Sequence, residues 1–296
     1  MSAAGPPRAY GALVLLSLVW GYSWIVAKVA LGYSGPFAFA ALRTALATAC
    51  LFALLAALRR PLAPPPIKST LALGLTQTAL FLALSTWALA GAAAGKVAIL
   101  VFTMPFWTLL MARHALGERV IGSQWIAIAF AFCGLVLILE PWSLKAALGA
   151  KTLAVAAGAV WAASAVIARR IQADRRTDVL ALTAWQMLLG VGPLAALALL
   201  APERALDWQP AFVGALLFHG VITTALGWLL WLYILHHLPA GAASLNTLAI
   251  PVIAIVAGWL QLGERPTAFE GAGMGLVALA LALLSLRALL RQSAPK

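Results

Sequence analysis

The chain has 296 residues, of which 64% are hydrophobic and only 9% charged, and its formal net charge is +12. An ordinary soluble domain is roughly 45–50% apolar and about a quarter charged, so these charges are too few to make a water-facing surface. The basic residues lie in short clusters between apolar runs, not in one patch or arm. That pattern excludes a nucleic-acid surface, and no nucleic-acid partner is expected.

In chain order, ten apolar runs of helix length follow one another: residues 9–31, 36–58, 67–90, 94–115, 122–141, 149–170, 178–201, 211–236, 240–262 and 267–290. A membrane-spanning helix needs about 20 mainly apolar residues. A helix also satisfies its own backbone groups in lipid. The composition therefore predicts an all-α integral membrane protein with ten transmembrane helices. Connectors are short and carry turn residues such as Gly35-Pro36, Pro64-Pro65-Pro66, Pro202 and Pro210, which leaves no room for a soluble domain. Arg8 is the only charge ahead of the first run, and that run is long enough to stay as an anchor, so no cleaved signal is expected. Cys50 and Cys133 fall inside apolar runs and read as small packing residues. No disulfide framework or metal-ligand spacing is present, and neither a metal nor a cofactor is expected.

Lys and Arg counts set the orientation. With the N-terminus inside, thirteen basic residues fall on the cytoplasmic side and six on the other, while Arg43 lies within a span. Cytoplasmic loops carry the excess of Lys and Arg, so both termini are expected to be cytoplasmic.

One stretch is written twice. Gly95 to Arg119 and Gly241 to Arg265 align at a constant offset of 146, matching Pro105 with Pro251 and Leu116-Gly117-Glu118-Arg119 with Leu262-Gly263-Glu264-Arg265. The correspondence extends backward through Gly74 and Gly220, Thr78 and Thr224, and Leu80 and Leu226. Such a repeat governs the fold. Residues 1–146 are read as one five-helix repeat and 147–296 as a second within a single membrane domain. Five is odd, so the second repeat is inverted. Inverted repeats belong to secondary transporters, whose substrate site lies near the bilayer midplane between the repeats.

The chain resembles the EamA-type drug/metabolite transporter superfamily. The likeness covers the whole chain and rests on the five-plus-five pattern, the Leu-Val-Trp-Gly-Tyr-Ser-Trp stretch at residues 18–24, Arg43, and the proline helices ending in Leu-Gly-Glu-Arg. Among members it is most similar to bacterial YddG-type exporters of aromatic and other amino acids. The resemblance implies a cavity lined by helices 1–4 and 6–9, with helices 5 and 10 more peripheral. It also implies export and a place in the bacterial inner membrane.

Several residues are candidates for carrying transport. Pro105 and Pro251 lie about 15 Å into their helices, near the midplane. A proline there frees a carbonyl and kinks the helix, so both are hinge candidates, with a static kink as the alternative. Polar groups inside a bilayer usually face the bundle interior. The cavity candidates of this kind are Ser23, Gln77, Thr78, Ser164, His219, Thr223 and Asn246. His219 and Thr223 share a helix face, and His219 is a candidate for substrate contact or proton transfer. Helix-to-helix hydrogen bonding is the plainer reading of the hydroxyls. Arg43 has no acidic residue deep in any span to pair with, so it is a candidate for a substrate carboxylate, with snorkelling to the surface as the alternative. Lys28 and Lys96 read as snorkelling residues. Trp20, Trp24, Met104, Trp107 and Trp161 complete the cavity candidates, while Trp142 and Trp208 suit the interfacial belt. Gly271 and Gly275 form a small-xxx-small pair suited to a close helix contact or a dimer face, leaving a monomer or a homodimer open.

The leading function is secondary export of an amino acid, aromatic or neutral, or a similar small metabolite by alternating access. Protons are a candidate coupling ion. A proton-coupled multidrug exporter of hydrophobic or cationic compounds is the alternative, and it lacks the intramembrane carboxylate such coupling normally needs. The residues offer no constellation for acid–base or metal chemistry, so the chain is not read as an enzyme. No ATP-binding P-loop pattern is present.

Overall fold

The structure is a computed structural model and describes residues 7–115, 122–142, 147–172, 178–227, 230–231, 233–234 and 245–293. All regular elements among them are helical. The helices are α1 (Pro7–Ala30), α2 (Pro36–Ala57), α3 (Ile67–Gly91), α4 (Ala94–Val101 and Met104–Ala115), α5 (Gly122–Leu139), α6 (Leu148–Gln172), α7 (Val179–Leu200), α8 (Pro210–Leu226), α9 (Leu245–Leu262) and α10 (Ala268–Ser293). Six of these, α1–α4, α6 and α7, are long and apolar enough to cross a membrane, and the other four contain shorter apolar stretches. Side chains such as Leu199 (86% exposed) and Leu260 (72% exposed) face outward, where lipid would cover them.

Local chemistry sets the helix ends. Pro36 and Pro210 open α2 and α8, where a missing N–H costs nothing because the first turn has no partner for it. Asp178 caps α7 by accepting from the N–H groups of Leu180 (2.9 Å) and Ala181 (3.1 Å). Thr267 and Glu270 form a reciprocal capping box on α10. Gly263, at φ +64°, ends α9 with the left-handed turn that glycine adopts freely.

Packing follows the repeat. Under the exchange of α1–α5 with α6–α10, the α1–α9 contact maps onto α4–α6, and the α2–α8 contact onto α3–α7. The α2–α7 and α5–α10 pairs map onto themselves. At the α5–α10 crossing, Gly134 and Gly273 bring the two backbones together: a Cβ on Gly273 would lie 2.6 Å from the Gly134 carbonyl oxygen. The small-residue contact is therefore at Gly273. Gly271 and Gly275, expected to make it, have open space around them because they sit on another face of the helix.

Three helices depart from α geometry. Gly74–Leu80 in α3 and Phe218–Leu226 in α8 are π-helical, and they overlay under the offset of 146. In α4 the helix breaks at Phe102–Thr103. Pro105 cannot supply the N–H that Val101 would otherwise accept. Gly158 of α6 lies against that freed carbonyl, where a Cβ would come within 2.8 Å of the Val101 oxygen. Pro251 differs from its repeat partner, since it lies inside α9 with helix on both sides.

Several sequence expectations change. Lys96 does not snorkel: its Nζ is 2.7 Å from the Glu270 carboxylate. Glu270 (1% exposed) also pairs with Lys151 (2% exposed) at 2.9 Å, and Glu140 lies 3.8 Å from the same ammonium. The result is a buried ionic staple joining α4, α6 and α10 beside the end of α5. Lys28 donates to the carbonyls of Leu89 (2.6 Å) and Ala92 (2.8 Å), capping the C-terminus of α3. Cys133, expected to pack inside, is exposed on α5, and Cys50 is half-buried. Trp142 and Trp208 are exposed.

Candidate functional site

A cavity of about 220 Å³ lies between α1–α4 and α6–α9; none of its described lining residues comes from α5 or α10. The two π segments build much of its polar wall, supplying Gln77 and Thr78 from α3 and His219, Thr223 and Thr224 from α8. A π turn carries an extra residue and often marks a functional position. Each segment also holds a close-approach glycine at an equivalent place. A Cβ on Gly74 would lie 2.7 Å from the Gln186 carbonyl oxygen, and one on Gly220 would lie 2.5 Å from the Leu46 side chain.

Arg43 and His219 form the polar centre. Arg43 Nη1 donates to His219 Nδ1 at 3.0 Å, and His219 Nε2 lies 3.0 Å from the Ser23 carbonyl oxygen. A guanidinium has no acceptor, so Nδ1 must accept and Nε2–H must donate. These contacts specify the neutral Nε2–H tautomer and tie α2, α8 and α1 together. Arg43 also stands over the Phe39 ring, 5.5 Å from its centroid, while Phe39 meets His219 edge-on at 5.3 Å. Among the described residues no carboxylate lines the cavity or pairs with Arg43.

Three buried side-chain atoms among the described residues lack a hydrogen-bond partner: Arg43 Nε, Gln186 Oε1 and Thr223 Oγ1. All three residues line this cavity. An orphaned buried polar atom costs about 1–3 kcal/mol, so three of them on residues of one cavity wall mark it as a candidate site for a polar guest. The apolar wall is aromatic. Trp161 packs against Phe81 (5.2 Å between centroids) and Phe102 (5.5 Å). Trp20 donates its indole N–H to the Thr223 carbonyl at 2.9 Å, in space left by Gly227, where a Cβ would meet Trp20 Nε1 at 2.6 Å.

Of the residues singled out in the sequence, Trp20, Ser23, Trp24, Arg43, Gln77, Thr78, Trp161, His219 and Thr223 line the cavity. Met104, Trp107 and Ser164 are not part of its lining. Met104 Sδ accepts from Thr108, Trp107 donates to Thr103 Oγ1, and Ser164 donates to the Trp161 carbonyl. These three satisfy their own helices. The side chain of Asn246 lies outside the described residues. Of the hinge candidates, Pro105 follows the α4 break that places Phe102 in the lining. Gln186 belongs with the candidates and carries the same sequence signal as Gln77, an amide within an apolar run. Phe81 and Phe102 carried no signal, because an aromatic in an apolar run reads equally as packing.

The sequence of the EamA-like transporter family matches residues 8–140 and again 149–286. The chain belongs to the EamA-like transporter family. The EamA domain is thus duplicated along the chain. The transporter YoaV of Bacillus subtilis (strain 168) is 25% identical over 261 residues, 86% of this chain and 89% of that protein. A probable amino-acid metabolite efflux pump of Escherichia coli (strain K12) is 27% identical over 282 residues, 91% of this chain and 92% of the pump. A riboflavin transporter of Rhizobium johnstonii is 31% identical over 178 residues, 60% of this chain and 57% of that protein. One crystal structure shares the fold with a TM-score of 0.65 at 18% identity, covering 98% of this chain and 99% of the other. This EamA protein is thus a multi-pass membrane transporter.

Proposed function

We propose that this protein exports a small amphipathic amino acid, neutral or aromatic, across the bacterial inner membrane by alternating access around the cavity. One observation carries the substrate class: Arg43 lines the cavity, its buried Nε has no partner, and no described carboxylate lies beside it. A substrate carboxylate completes that guanidinium through charge-assisted hydrogen bonds. The aromatic wall of Trp20, Trp161, Phe81 and Phe102 accepts the apolar part. The E. coli relative described as a probable amino-acid metabolite efflux pump supports the same class and the export direction.

The architecture behind this reading is ten transmembrane helices in two inverted repeats, residues 1–146 and 147–296, with both termini cytoplasmic. The symmetric packing supports the repeat, and the Lys and Arg distribution supports the orientation. Alternation needs contacts that close one end of the bundle and then release. The carboxylate of Glu264, after α9, accepts from the N–H groups of Ala94 (2.6 Å) and Gly95 (3.1 Å) at the start of α4. This cap binds the two repeat-equivalent helices at the outer end. Among the described lining residues there is no acidic group for a cation, which weighs against a proton-coupled exporter of cationic drugs.

The test is uptake into proteoliposomes of labelled neutral and aromatic amino acids, riboflavin and a cationic dye, with and without a pH gradient. Saturable amino-acid movement that is lost in Arg43→Met is the expected result. Dye movement alone would overturn the assignment.

A further inference from the structure

We propose that Gln186 selects the substrate by accepting a hydrogen bond from its ammonium group, so that the cavity takes a zwitterion and rejects the corresponding simple acid. The inference rests on the transport reading above and deepens it.

Gln186 lies on α7, about 12 Å past its capping residue Asp178 at 1.5 Å per residue. It is 3% exposed and lines the cavity, yet its Oε1 meets no donor. An amide oxygen is an acceptor only, so the guest that completes it must bring an N–H or O–H. Arg43 on α2, the helix packed against α7, offers the opposite need: Nε is a donor without an acceptor. Thr223 on α8 adds a hydroxyl that serves either role. A guest carrying a carboxylate and an ammonium answers both needs at once. A carboxylate alone answers Arg43 and leaves Gln186 orphaned. An amine alone answers Gln186 but places its charge in a cavity with Arg43 and no described acid. A neutral amide thus does the work that a carboxylate would do elsewhere, without forming an ion pair with Arg43 that would close the site to substrate.

The backbone holds Gln186 for this task. Its carbonyl packs against Gly74 of the α3 π segment, where a Cβ would approach to 2.7 Å. One turn on, Gly190 accepts the Thr78 side chain, where a Cβ would approach to 2.5 Å. With no side chain between the helices, α7 sits close enough to α3 to put the amide in the cavity wall.

The experiment measures binding of labelled L-phenylalanine to the purified full-length protein in detergent, with competition by unlabelled 3-phenylpropanoate and phenethylamine. The wild type is expected to prefer phenylalanine over 3-phenylpropanoate by about tenfold or more, the range for one hydrogen bond to a charged group. Gln186→Met, close in volume and without an acceptor, is expected to abolish that preference by weakening phenylalanine while leaving 3-phenylpropanoate unchanged. Gln186→Glu, which keeps the shape and guards against a folding defect, is expected to weaken 3-phenylpropanoate and strengthen phenethylamine. An unchanged ratio in both variants, or equal loss for both ligands, overturns the role of Gln186 while transport of amino acids stands. A wild type that binds none of the three probes overturns the amino-acid reading and this inference with it.

Discussion

Glu264 Oε2 accepts a hydrogen bond from the backbone N–H of Gly95 at 3.1 Å. The acceptor belongs to the second Leu-Gly-Glu-Arg turn and the donor opens the first copy of the repeated stretch. The motif therefore joins the two halves. A carboxylate at a helix N-terminus gains from unpaired N–H groups and from the helix dipole.

Removing that carboxylate should free the end of the bundle it closes. Hydrogen bonds to a charged group contribute about 1.5–3 kcal/mol, enough to shift a two-state population by about 10–100-fold. Glu264→Ala is expected to raise labelling of a cysteine placed at Ala93 by an impermeant maleimide, in a Cys50→Ser, Cys133→Ser background. Unchanged labelling would show that the cap is not a closing contact.

His219→Ala should lower transport at least tenfold while membrane insertion is retained. The substitution removes the acceptor of Arg43 and the donor to Ser23 together. Arg43 would then be free to reorient along α2. Uptake into proteoliposomes, compared with the level of correctly inserted protein, checks this.

Gly158→Ala should destabilise the protein, because its Cβ would lie 2.8 Å from the Val101 oxygen and 3.3 Å from the Leu100 oxygen. Overpacking of this kind costs about 1–3 kcal/mol and should lower the melting temperature in detergent. Pro105→Ala restores a donor for Val101 and should mend the α4 break. Its expected signature is slowed turnover with substrate affinity changed less. The reverse pattern would dismiss Pro105 as a hinge.

Asp178 gives a pH-dependent contribution outside the spans. Partial burial opposes its ionisation, but the N–H groups of Ala181 and Leu180 and the Arg60 guanidinium outweigh it and hold the carboxyl below its ordinary range. A carboxyl lowered in the folded state adds stability that is present above the unfolded value, about 3.9, and lost as pH falls through the folded one. Asp178→Asn should therefore lower the melting temperature most at pH 7, with the deficit shrinking as the pH falls into the acid range.

The apolar runs, the repeat and the family were legible in the sequence, because each depends on hydrophobicity and spacing along one chain. Arg43, His219, Gln77 and Thr78 were legible as candidates for a simple reason: polar groups inside apolar runs are costly and must face something. Which of them face the same space was decided by tertiary structure. Each residue turns a helix by about 100°, and a π turn adds one, so the two π segments re-aim side chains that a regular helix would place elsewhere. Met104 and Trp107 on α4 and Ser164 on α6 fall outside the cavity, and Gln186 on α7 falls inside it, because the rotation of each helix against its neighbours sets which of its faces meets that space. The partners of Lys96 and Glu264 lie 174 and 169–170 residues away in the chain, where no local pattern reaches. Periodicity shows that a charge is buried; only the packing of α4 against α9 and α10 shows what it meets.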